Sequence, residues 1–317
     1  MKTLATLAGV LVAGVIVYAA VSKFGGSSKA ETDEQFLIGF SQGTMNHPWR
    51  VAMVEGNKKY AAANYPDVEL IVTDGQNQSG KQVSDVESLL ARGIKVLMIS
   101  PLTEEALTPI VAQAMAQGIP VVTLDRKVNT EVTAHVGAEN RPIGEAAGKF
   151  IVDKLGGKGK VIEIQGTAGA SATVDRHAGF RAAIKGTDIE VVAEQYADYL
   201  REPAIKFMED MRQRYGPGQI QAVYAHNDEM ALGAIQALEA AGRLKEVLVV
   251  GIDGEELAFQ AVSEGKLAAT FIYPFVAPEG IQTAYKVAKG ESVGKEIALP
   301  TRAVTAENVK EFLGKGF

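Results

Sequence analysis

The sequence predicts an α/β protein made of two doubly wound parallel-sheet lobes. Three observations carry this. Short apolar runs of strand length alternate with stretches of helical spacing. The strands are apolar at nearly every position, as suits a parallel sheet covered by helices on both faces. The alternation also restarts midway along a chain of 317 residues, which is long for one ordinary domain and comfortable for two.

The first strands are FLIGFS, VELIVTD, KVLMIS and IPVVTL, short and rich in Val and Ile. Between them, residues Trp49–Asn64, Gly80–Arg92 and Glu104–Gln117 space their apolar side chains as helices do. Strands alternating with helices of this length indicate βαβ units. The pattern restarts with the short strand TAHVG and the helix RPIGEAAGKFIVDKLG. The strands KVIEIQG, IEVVAEQY, IQAVYAH, EVLVVGID and KLAATFIY follow with helices between them, and a last helix lies near Pro278–Lys289. No long linker separates the halves, and no short-period repeat is present.

Ahead of this body, Leu4 to Val21 form a mostly apolar run flanked by Lys2 and Lys23. A small, polar linker, GGSSKAETDEQ, comes next. The run is longer than the roughly 7–15 apolar residues of a secretory signal and at the lower edge of a membrane span. Ala19, Ala20 and Ser22 offer small residues for a cleavage site. A cleaved signal is the favoured reading over an uncleaved anchor, and both put residues 36 onward outside the cytoplasm, in the periplasm. The hydrophobic fraction of 47% suits a protein with a real core, and a net charge of −6 with no basic patch argues against nucleic acid. With no cysteine, thiolate chemistry, disulfides, thiolate zinc sites and lipid attachment through cysteine are all excluded.

Ligands of open α/β sheets bind beyond the carboxyl ends of the strands. His47, Trp49 and Arg50 follow the first strand, Asp125 and Arg126 follow IPVVTL, and Arg176 follows the turn after KVIEIQG. Tyr199, Asn227, Asp253 and Tyr273 stand at later strand ends. Carboxylates and guanidinium groups satisfy sugar hydroxyls, which both donate and accept, and aromatic rings cover the apolar faces of a sugar. Plainer roles compete with this one. Asn46 and Asp228 have the look of helix N-caps, Asp175 could pair with Arg176, a lone Trp49 is often core, and Asp125-Arg126 could be an exposed turn pair.

The motifs of catalysis and metal binding are missing. Histidines 47, 135, 177 and 226 form no HExxH pattern. GASAT around Ser171 lacks the second glycine of a nucleophile elbow. GTAGAS lacks dinucleotide-binding spacing and reads as a turn that lets the next helix pack closely. No Walker motif or calcium loop occurs. No catalytic residue, metal or cofactor is expected.

The segments IPVVTLDR, EIQGTAGASATVDRHAGFRAAI, YAHNDEMALGAIQALEAAG and VVGIDG, in this order and spacing, resemble the periplasmic sugar-binding proteins of the ribose type. These share their fold with the ligand domains of LacI-type repressors. The resemblance implies a monosaccharide held in a cleft between two lobes joined by three crossover strands. It implies lobes of 36–138 with 273–300, and 139–272 with 301–317. By the same resemblance Asp125 and Arg126 bind from the first lobe, Arg176, Tyr199, Asn227 and Asp253 from the second, and Tyr273 at a crossover. The first segment departs from the ribose pattern. His47, Trp49 and Arg50 stand where ribose binders have an Asn and two Phe residues, and Tyr273 stands in place of Gln. The Trp-Arg pair is similar to that of galactofuranose binders, so a furanose or hexose is favoured over ribose.

The expected function is therefore a monomeric solute-binding protein that closes on a monosaccharide by hinge motion and delivers it to an ABC transporter permease in the inner membrane. Presentation to a chemoreceptor or sensor kinase is the alternative. A transcription regulator would need a helix-turn-helix where the apolar run stands, and a glycosidase would need a defined carboxylate dyad.

Overall fold

The computed structural model describes residues 35–317. The apolar run and most of the linker lie outside the described residues. Among the described residues, no helix is long and apolar enough to cross a membrane.

The chain opens with β1 (Phe36–Gln42), α1 (Pro48–Asn64), β2 (Val68–Asp74), α2 (Ser79–Ala91), β3 (Val96–Ser100), α3 (Glu104–Ala116), β4 (Val121–Leu124) and β5 (Ala134–Gly137). It continues with α4 (Asn140–Leu155), β6 (Lys158–Gln165), α5 (Ser171–Ile184), β7 (Asp188–Tyr196), α6 (Arg201–Arg214), β8 (Ala222–Ala225), α7 (Asp228–Ala240), β9 (Leu248–Asp253), α8 (Glu256–Ser263) and β10 (Ala269–Ile272). The last elements are α9 (Glu279–Ala288), β11 (Glu296–Ala298) and β12 (Arg302–Thr305).

The strands form two six-stranded sheets, β11-β5-β4-β3-β1-β2 and β12-β10-β9-β8-β6-β7. All neighbours pair in parallel except β10 and β12, which are antiparallel. The chain passes between the sheets after β5, after β10 and after β11, so three crossings join the lobes. The central strands β3, β4 and β8 are buried at every position, as two covered faces require.

Helices cover both faces of each sheet. Leu97, Ile99 and Val121 pack toward α2 and α3 on one face of the first sheet, and Ile38, Phe40 and Met98 face α1 and α9 on the other. In the second sheet Ile164, Val223 and Val249 meet α6, α7 and α8, while Val161, Tyr224 and Ile252 face α4 and α5. One apolar cluster runs without a break from Ile38 and Met98 through Val136 and Ile143 to Tyr224 and Ile252. The crossings are therefore part of the core, and they hold the carboxyl ends of the two sheets toward each other.

The caps differ from the sequence expectation. Asn227 caps α7, accepting from the Met230 N–H at 3.0 Å, and Asp228 is the first residue inside the helix. His47 occupies the cap position of α1 without a side-chain bond, and Asn46 stands before it.

Candidate functional site

The carboxyl ends of the strands meet around a small cavity lined by His47, Trp49, Arg50, Asp125, Ala172, Arg176, Tyr199, Asp253 and Tyr273, with about 230 Å³ of empty space. Little free space is left among these side chains, which crowd together from both sheets. The lining side chains are buried. Of the residues expected from sequence, Arg126 and Asn227 stand behind the lining. Arg126 gives Nη1 to the Leu102 carbonyl at 2.7 Å, and Asn227 gives Nδ2 to the Tyr199 carbonyl at 3.1 Å.

From the first sheet, α1 delivers Trp49 and Arg50. Pro48 at the start of the helix has a backbone preset for this turn, and it brings both side chains over the end of β1. Arg50 Nη1 donates to Ser100 Oγ at 2.7 Å and pairs with Asp125 at 2.6 Å. Asp125, just past β4, adopts φ 64°, a left-handed conformation that Asp tolerates better than most residues. Its other oxygen accepts from the Tyr273 hydroxyl at 2.6 Å. Asp125 and Arg126 are thus buried, not an exposed turn pair.

From the second sheet, Arg176 projects from α5. Its Nε donates to Asn140 Oδ1 at 2.9 Å, its Nη1 donates to the His226 carbonyl, and Asp253 lies 3.9 Å away. Among the described residues Asp175 makes no ion pair with it; Asp175 lines a neighbouring, more open cavity with Lys127 and Arg141. Tyr199, at φ 63°, holds its hydroxyl 2.8 Å from Thr173. Asp253 sits at φ 135°. Three lining residues thus carry backbone conformations of the sparsely populated kind, which cluster where function over-determines them.

The crossing after β10 supplies Tyr273. The Trp49 indole donates to its carbonyl at 3.0 Å, and the two rings lie 5.4 Å apart. The Arg176 guanidinium stands 4.5 Å from the Tyr273 ring centroid. Asn140, at the first crossing, donates to the Tyr273 hydroxyl at 3.0 Å. An unbroken chain of contacts, Arg50–Asp125–Tyr273–Asn140–Arg176, therefore links the lobes. Ser100 and Asn140 were not expected from the sequence. Both lie at or just past strand ends, β3 and β5, which was the available signal.

The charges are finely set. Burial opposes ionisation of Asp125, but Arg50 and Arg126 outweigh it and hold the carboxyl below its ordinary range. Burial pushes the Asp253 carboxyl well up, and Arg176 offsets this only in part. Burial, then the Arg50 cation, keeps His47 neutral. Both His47 ring nitrogens, Arg50 Nε, and Arg126 Nε and Nη2 are buried without a protein hydrogen-bond partner. Such groups favour a polar guest. The turn GTAGAS has a structural role. It joins the lobes: Gly169 O accepts from the Glu104 N–H at 3.0 Å and Ser171 Oγ from the Lys127 N–H at 2.8 Å.

The family profile of the periplasmic binding protein domain matches residues 38–292. The ribose import binding protein of Bacillus subtilis (strain 168) is 38% identical over 281 residues, covering 88% of this chain and 90% of its own. The galactofuranose-binding protein of Escherichia coli (strain K12) is 32% identical over 272 residues, covering 83% and 85%. Among solved structures, the fructose-binding periplasmic domain of a hybrid two-component system superposes with a TM-score of 0.84 at 35% identity, covering 89% of this chain and 94% of that one.

Proposed function

The chain belongs to the periplasmic binding protein family, and from that premise we propose that it captures a neutral monosaccharide, a furanose or hexose before ribose, and delivers it to an ABC permease. The observation that carries the reading is the composition of the closed cavity. Two carboxyl groups, guanidinium groups and aromatic rings from both sheets converge on one buried point between the strand ends. A sugar satisfies all three kinds of group at once: its hydroxyls donate to carboxylates and accept from Arg, and its C–H face lies on a ring. The unpaired N–H groups of Arg50 and Arg126 ask for acceptors, and the neutral His47 ring for one acceptor and one donor; sugar hydroxyls supply both.

In this reading Asp125 and Arg50 grip from the lobe 36–138 with 273–300, and Arg126 acts from behind them, its Nε 3.8 Å from Asp125. Arg176, Tyr199, Asn227 and Asp253 grip from the lobe 139–272 with 301–317, Asn227 by holding the Tyr199 segment. Tyr273 and Trp49 form the apolar wall, and His47 offers a neutral ring nitrogen. The sugar contacts both lobes only when they are closed, so it favours the closed form. The protein works in the periplasm as a monomer without cofactor or catalysis, its apolar leader removed.

A thermal-shift screen against pentoses, hexoses, ketoses and polyols tests this, because a ligand of the native state raises the melting temperature by mass action. A rise with one sugar is expected. A flat response from well-folded protein, or turnover of a sugar, rejects the reading. The likeness to the periplasmic domain of a two-component system favours a second reading, presentation of the sugar to a membrane sensor. Sequencing the mature N-terminus separates the two, since a retained apolar run suits a tethered partner and a cleaved one suits a diffusing carrier.

A further inference from the structure

We infer that Asp228 is a positioning residue for the sugar site: its buried carboxylate fixes the strained turn that aims Asp253 into the cavity. The inference rests on the proposed role of Asp253 but concerns a residue outside the cavity.

Asp228 is the first residue of α7 and is completely buried. A residue there would ordinarily serve the helix end, but Asn227 already fills the cap. The Asp228 side chain turns sideways, toward the ends of β9 and β10. Its Oδ2 accepts from the backbone N–H of Gly254 at 2.8 Å and of Glu255 at 3.0 Å. The Thr270 hydroxyl donates to the same carboxylate at 2.8 Å from Oδ1. Gly251 makes the room: a Cβ there would lie 2.3 Å from Asp228 Oδ1.

The two N–H groups belong to the residues that follow Asp253, whose φ of 135° is unfavourable for any side-chain-bearing residue. Such a conformation persists only where its surroundings over-determine it. The Asp228 carboxylate holds the turn from behind, and the Asp253 carbonyl accepts from the Tyr273 N–H, just past β10, at 3.0 Å. A charge-assisted acceptor shared by two backbone donors is a strong and geometrically narrow restraint. Without it the turn relaxes, and the Asp253 carboxyl leaves its place 3.9 Å from Arg176.

The test is a double-mutant cycle of Asp228→Asn with Asp253→Ala, read by calorimetric titration with D-ribose, D-fructose, D-galactose and xylitol in parallel. Asp228→Asn keeps the shape and an oxygen for the two N–H groups but removes the charge from both bonds. It is expected to weaken binding about tenfold, the loss of a charge-assisted bond, with a native circular dichroism spectrum. In the Asp253→Ala background the same change is expected to weaken binding by less than about twofold, because an effect that travels through Asp253 disappears with it. Losses that multiply, or Asp228→Asn binding as tightly as the wild type, overturn the inference while leaving Asp253 in the site. Asp253→Ala binding like the wild type removes Asp253 from the site and the inference with it. If Asp228→Asn does not fold, Thr270→Val enters the same cycle. A coupled loss supports the inference and a multiplicative one overturns it.

Discussion

At the residue scale, the pair Arg50–Asp125 and the cation Arg176 are each buried and tied to partners from more than one element. Removing one member leaves another buried and unpaired, which costs about 2–5 kcal/mol of binding. Asp125→Ala and Arg176→Ala are therefore each expected to weaken sugar affinity at least about tenfold while still melting cooperatively; calorimetric titration and thermal melts check both halves. His135 gives a prediction of a different kind. Burial, then the nearby Lys127 cation, lowers its pKa from 6.5 to about 4, and its Nδ1 lies 3.0 Å from the Thr123 hydroxyl. The unfolded chain takes up this proton near 6.5 and the folded chain near 4, so folding stability is full above about pH 6.5 and falls as pH drops toward 4. The contribution is on the order of 3 kcal/mol. Urea melts at pH 7 and pH 4.5 are expected to show a smaller acid loss in His135→Gln than in the wild type; equal losses would exclude His135 as the source. Much of the cavity lining was legible at this scale, because each residue chosen follows an apolar strand, whose carboxyl ends meet there. What was not legible is the order behind it. Nothing local marks Asn140 as the link between Arg176 and Tyr273, since its partners lie 36 and 133 residues away.

At the element scale, the helices and ten of the strands, β2 and β7 at two sheet edges included, were readable from periodicity, and the edge strands β11 and β12 were not. β11 and β12 are three and four residues long and mostly exposed, with Pro300 between them, so they lack the apolar run that marked the other strands. The cap of α7 was also misplaced by one residue: Asn227 and Asp228 are both good cap formers, and only the backbone decides between them. The packing of α4 on α5 shows how an element sets a site residue. Gly144 lies so close to α5 that a Cβ would stand 2.2 Å from the Arg176 carbonyl oxygen. Gly144→Ala is expected to push the helices apart at a cost of roughly 1–3 kcal/mol. It also moves Arg176 off its contacts with Asn140 and Asp253. Stability and affinity should fall together, measured by urea melts and titration of the same variant. A loss of stability with unchanged affinity would separate the helix contact from the site.

At the scale of the whole molecule, two of the hydrogen bonds between the lobes do not involve the cavity. The Glu104 N–H reaches Gly169 O and the Lys127 N–H reaches Ser171 Oγ, so the turn before α5 latches onto the first lobe directly. These contacts use two backbone donors, and no sequence pattern announces them; GTAGAS was readable only as a turn. In the proposed hinge closure they act on the closure equilibrium, apart from the chemistry of the sugar. A protein whose binding-competent form is only partly populated binds more weakly in proportion to that fraction. Removing one such bond, worth about 1 kcal/mol, should therefore weaken apparent affinity about fivefold for every sugar alike. Ser171→Ala does this without touching the polar groups of the cavity. Its selectivity between two sugars should match the wild type, and its sugar dissociation should be faster. Small-angle scattering should show the same compact form at saturating sugar, reached at higher concentration. A change in selectivity would instead mean that Ser171 acts on the sugar, and an unchanged affinity would mean that the cavity contacts alone hold the lobes shut.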